Sequence, residues 1–128
     1  MYLRFVIAKQ DEQSGRRQGL FYASYELEER GDLTAIEVSA LDEIHHWFAK
    51  NMSEPTTASL SSRPHGKAQA LSWFKETAVG HVSKMRSLQA LLEQHGVWSE
   101  VLRTARPGYV VYEDDHQVLA YPFADTPT

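Results

Sequence analysis

Apolar and polar positions begin to alternate at the second residue. Leu3, Phe5 and Ile7 point to one side of an extended chain and Arg4 to the other, which predicts a half-buried strand over Tyr2–Ala8. Lys9–Gln18 is polar, carries Gly15 and reads as a loop. From Gly19 to Arg30 the period lengthens. Leu20, Ala23, Ser24 and Leu27 fall on one stripe with Phe21 and Tyr25 beside it, while Glu26, Glu28 and Glu29 face water, so the segment reads as a helix. Gly31 suits its left-handed cap. A second helix follows almost at once: Thr34 and Glu37 have the spacing of a capping box, and Val38, Leu41, Ile44, His45 and Phe48 mark the buried face. So short a connection makes the pair an antiparallel helical hairpin.

Ser53–Gly66 is rich in Ser, Thr and Pro, lacks periodicity and is expected to be a flexible loop, residues 53–66, within the domain. Residues 68–95 have two readings. Leu71, Phe74, Ala78, Val82, Met85, Leu88 and Leu92 fit one helical stripe. Alternatively Ala70–Lys75 is a strand and the helix starts near Glu76. The adjacent bulky rings of Trp73 and Phe74 favour this second reading, because they suit a strand covered on both faces. Gly96 ends the helix, and Trp98–Thr104 reads as a strand. After a turn at Arg106-Pro107-Gly108, two β-branched and aromatic runs flank Glu113–His116, which is a hairpin pattern. The three tryptophans lie in periodic elements and are expected in the core.

The order β-αα-β-α-β-β-β defines an α+β fold, a single layer of mixed or antiparallel sheet with helices packed on one face. Ala70–Thr104 is expected to be a right-handed parallel crossover. The last hairpin is apolar on both sides, so one side needs a cover or a partner. A length of 128 residues fits one α+β domain, residues 1–128, large enough to sustain its own core. The chain has no cysteine, which excludes disulfides, thiol nucleophiles and thiolate metal sites. No window approaches the ~20 apolar residues of a membrane span. The apolar start is too short for a signal sequence and Arg4 interrupts it, so a cytoplasmic protein without membrane contact is expected. A net charge of −4 makes nucleic acid an unlikely partner unless one face concentrates the arginines and lysines.

Candidate chemistry is sparse. No two of the six histidines have the spacing of three or four that places metal ligands on one helical face. No metal and no cofactor is expected. Arg63, His65 and Lys67 form a compact basic loop able to hold a phosphate or carboxylate, but it lacks the glycine and hydroxyl of a Walker loop. Glu113, Asp114, Asp115 and His116 could act as a base or as oxygen ligands, although such residues are also ordinary turn formers. Neither a Gly-x-Ser-x-Gly elbow nor a Gly-x-Gly-x-x-Gly turn occurs.

Ala70-Leu-Ser-Trp-Phe-Lys75, Glu93-Gln-His-Gly96, Arg106-Pro-Gly108 and Tyr112-Glu-Asp-Asp-His-Gln-Val118 resemble segments of a family of short, uncharacterised bacterial proteins. The resemblance covers most of the chain and is most specific in its second half. It implies a bacterial or phage source and one small domain, and brings no activity, cofactor or catalytic residue. It draws attention to Lys75, Glu113, Asp114 and Gln117. The expectation is a small cytoplasmic module for binding or regulation, without catalysis, acting through protein–protein contacts and able to form a homodimer. The alternative is a small enzyme or receptor for an anionic, phosphorylated ligand. It would use the basic loop, Lys75 and the acidic hairpin tip with Gln117.

Overall fold

The alternating segment at the start of the chain becomes the hub of a six-stranded antiparallel sheet. The computed structural model describes residues 1–11, 15–54 and 70–128. Its elements are β1 (Tyr2–Gln10), β2 (Arg17–Gly19), α1 (Leu20–Glu29), α2 (Ala35–Asn51), β3 (Leu71–Lys75), α3 (Val79–Gln94), β4 (Ser99–Thr104), β5 (Tyr109–Glu113) and β6 (Gln117–Tyr121). Tyr2 pairs with both Lys75 and Thr104, so β3 and β4 flank β1 on opposite sides. Val6 pairs with both Gly19 and Glu100, so β2 shares the β3 side at the other end of β1. The sheet then continues β3-β6-β5.

Among the described residues no helix is long and apolar enough to cross a membrane. The three helices among the described residues pack on one sheet face. Leu3, Phe5 and Phe74 of the sheet join Leu20, Ala23 and Leu27 of α1, Leu41, Ile44 and Phe48 of α2, and Met85, Leu88 and Leu92 of α3 in one buried cluster. The α+β reading therefore holds, with every pairing antiparallel. The second face has its own smaller core of Val6, Leu71, Trp73, Leu102 and Val118.

Several local expectations change. Arg17 and Gln18, read as loop, and Gly19, read as the start of the first helix, add a short strand to β1, and β1 itself runs on to Gln10. The helix after β3 starts at Val79, three residues later than the sequence suggests, because Glu76–Ala78 is used as a turn. β3 and β4 both run antiparallel to β1 and hence parallel to each other, but β1 lies between them. The β3-α3-β4 unit is thus a split crossover that spans β1, and not an adjacent parallel pair. Arg4, read as facing water, is only 8% exposed, whereas Trp98, read as core, is 70% exposed. The αα-hairpin and its glycine cap form as expected, with Gly31 at φ +75. The 53–66 loop lies almost wholly outside the described residues.

Candidate functional site

The hairpin tip forms because one carboxylate organises it. Asp114 Oδ1 accepts from the backbone N–H of His116 (2.8 Å) and of Gln117 (3.0 Å). Its Oδ2 accepts from the Tyr112 hydroxyl (2.9 Å) and from Gln117 Nε2 (3.1 Å). Partial burial by itself would raise the Asp114 carboxyl, but these four donors together hold it below the ordinary aspartate value. The phenol of Tyr112, donating to Asp114, is raised in turn. A carboxylate with both oxygens used twice is a turn organiser, and has no lone pair aimed at a substrate proton.

Gln117 is 2% exposed and fully used. Besides Asp114 it donates to the Ser53 carbonyl (2.6 Å), and its Oε1 accepts from Ser72 Oγ (3.4 Å). Lys75 is drawn to the same place: its N–H donates to His116 O (2.9 Å) and its Nζ lies 2.6 Å from Glu113 Oε2. The Glu113 hydrogen bond holds the Lys75 ammonium above its ordinary value, with help from the charge of Asp115, which is itself exposed. Lys75, Glu113, Asp114, Asp115, His116 and Gln117 therefore gather at one end of the sheet, and the cation is neutralised within the group. Arg63, His65 and Lys67 lie outside the described residues.

Beside this tip opens a cleft of about 1110 Å³ between α1, the end of α2 and strands β3 and β6, lined in part by Tyr25, His45, Ser72, His116 and Gln117. Four contacts that shape it link residues far apart in sequence. His81, 5% exposed, donates through Nε2 to the Asn51 carbonyl at 2.7 Å and so caps the last turn of α2. Its ring stacks on His116, with centroids 4.2 Å apart. Ser24, fully buried, sends its one proton to the Phe21 carbonyl (2.6 Å). The 3.0 Å contact between Ser24 Oγ and His45 must then be a bond from His45 Nε2–H. That commits Nε2–H to the serine and denies the serine a base. Burial lowers the His45 pKa, while Glu28 and Asp42 oppose the effect. Tyr25 stacks on the same ring at 4.5 Å.

Sequence reasoning missed His81, His45, Ser24 and the cleft. One signal for His81 was present: it falls on the stripe of Met85, Leu88 and Leu92, where an imidazole must find a partner. Among the described residues no three His, Asp or Glu side chains converge as metal ligands. Compared with protein-family models, curated proteins and solved structures, the chain matches none.

Proposed function

We propose that the protein is a small non-catalytic binding module that acts through protein contacts, with the outer edge of β5 as the contact surface and a second copy of the chain as partner. One observation carries the reading. Among the described residues β5 pairs only with β6, and its Tyr109 and Val110 are 56% and 45% exposed. An open strand edge with apolar side chains is a template for another strand. A two-fold axis through β5 would join two sheets, the commonest symmetry for such contacts. The β-bulge at Val111, between the Val110 and Tyr112 pairs, keeps the straight segment short and the association reversible. The internal saturation of Asp114, Gln117 and Ser24 supports binding without chemistry. The absence of cysteine fits a reducing compartment, and the cytoplasm is the proposed location.

Sedimentation velocity at micromolar concentration is expected to show a dimer that Val110→Lys returns to monomer without lowering the thermal midpoint. A wild-type monomer at high concentration overturns the reading. The cleft favours a second one, a receptor for an anionic ligand, since Lys50 and His116 line it. A thermal-shift screen with phosphate and nucleotides tests it. The expected sign is a saturable rise in midpoint that Lys50→Gln removes, and a flat response counts against it.

A further inference from the structure

The second face of the sheet buries a guanidinium that has no hydrogen-bonded carboxylate. Arg4 sits in β1 opposite Leu102 of β4 and is 8% exposed. Its Nη2 donates to the Arg17 carbonyl at 2.6 Å, and its Nη1 has no partner among the described residues. The charged groups that act on it are Arg17 and Arg16, which repel, and Asp11, which attracts. Burial, with Arg17, lowers its pKa to about 10, the sign of a charge that its surroundings do not compensate. Burying such a charge costs several kcal/mol unless an anion and further hydrogen bonds offset it.

A second buried donor lies on the same face. Trp73 is fully buried in β3 and its Nε1–H has no acceptor among the described residues. The β1–β3 register, Tyr2↔Lys75 and Leu3↔Phe74, continued by one residue, sets Arg4 across from Trp73. Arg4 alternates with Leu3 and Phe5 of the helix-side core, and Trp73 with Phe74, so both side chains rise from the second face. The walls there are apolar: Val6, Leu71, Leu102 and Val118. Two unpaired donors, one cationic, in an apolar surround require an acceptor, and a negatively charged one matches both.

We propose that Arg4 and Trp73 form a binding site for a small oxyanion group, a carboxylate or a phosphate oxygen, on the sheet face opposite the helices. Arg4 Nη1 supplies charge and a donor, and the indole N–H supplies a second donor that discriminates against ions unable to accept a directed hydrogen bond. The site is independent of the β5 edge and of the cleft.

The test uses ¹⁵N-labelled full-length protein, whose three tryptophans give three indole cross-peaks. Trp73→Phe assigns the relevant one. Chloride is replaced by acetate, or separately by phosphate, at constant ionic strength. The Trp73 indole proton is expected to move downfield and saturate while those of Trp47 and Trp98 stay fixed, and the thermal midpoint is expected to rise with anion concentration. Arg4→Gln is expected to weaken the response by about tenfold or more, as for loss of a charged hydrogen-bond donor. A response to acetate alone identifies a carboxylate site, to phosphate alone a phosphate site, and to both a general oxyanion site. The wild-type titration stands even where a variant fails to fold. Equal movement of all three indoles, or an indole that contacts a long-lived water and ignores both anions, overturns the proposal.

Discussion

Gly108 has the least latitude of the glycines described. Its φ of +135 is open to glycine, and a Cβ placed there would sit 1.8 Å from the Tyr121 carbonyl oxygen. The turn into β5 therefore depends on a hydrogen atom in that position. Gly108→Ala is expected to cost about 3 kcal/mol or more, because backbone strain and a backbone clash add. Chemical denaturation measures this directly, and a cost below ~1 kcal/mol, the level of an ordinary surface change, would mean the turn can rearrange. Asp114 is the polar counterpart. Asp114→Asn keeps the size but turns one acceptor into a donor facing the Tyr112 hydroxyl and the Gln117 amide. Leaving the buried amide unpaired is expected to cost about 2 kcal/mol. The pH dependence carries a sign. A carboxyl held below its ordinary value of 3.8 contributes stability that is present above that value and is lost as the pH falls through the depressed one. Acid unfolding of the wild type should show this limb and the Asn variant should lack it.

At the scale of elements, the αα-hairpin rests on two ties at the start of α2. Glu37 N–H donates to Thr34 Oγ1 (3.2 Å), and Thr34 N–H donates to Glu37 Oε1 (3.0 Å). The other oxygen of Glu37 lies 2.6 Å from His95 Nε2, at the C-terminal cap of α3. The backbone bond from Thr34, then the bond from His95, hold Glu37 below its ordinary 4.5. Its contribution is therefore complete above that pH and lost as the pH falls through the depressed value. Thr34→Ala is expected to cost about 1 kcal/mol, the usual loss of an N-cap, read as a shift in denaturation midpoint at constant slope. This hairpin, the terminal hairpin and the strand at Leu71–Lys75 were legible because their signals are local: a cap, a period, a pair of adjacent rings. Arg17–Gly19 was not legible, since a polar three-residue strand is defined by the edge of β1 and by nothing in its own composition. The site followed the same division. The acidic tip could be read as a turn from its residue types. His81 on Asn51 and His45 on Ser24 join residues 30 and 21 positions apart, and no spacing rule reaches them.

For the whole molecule, pairing on both sides sets a gradient of protection. β1, β3 and β6 each lie between partners, whereas β4 and β5 pair on one side among the described residues. Hydrogen exchange is expected to be slowest at amides such as those of Phe5, Trp73 and Val118 and fastest along β5, because edge strands open without breaking the sheet. Uniform protection across all six strands would contradict this. The hub position of β1 has a further consequence in time. A ribosome releases β1 ahead of every strand it pairs with, and its two long partners, β3 and β4, begin some seventy and nearly a hundred residues later. Until then the nascent chain carries Leu3, Phe5 and Val6 on a strand whose β4 edge is wholly unpaired, the kind of segment that seeks the wrong neighbour. Among the described elements β2, α1 and α2 are all made before β3, and β2 alone of them pairs with β1, so the smallest strand of the sheet is also the first to cover part of its edge during synthesis.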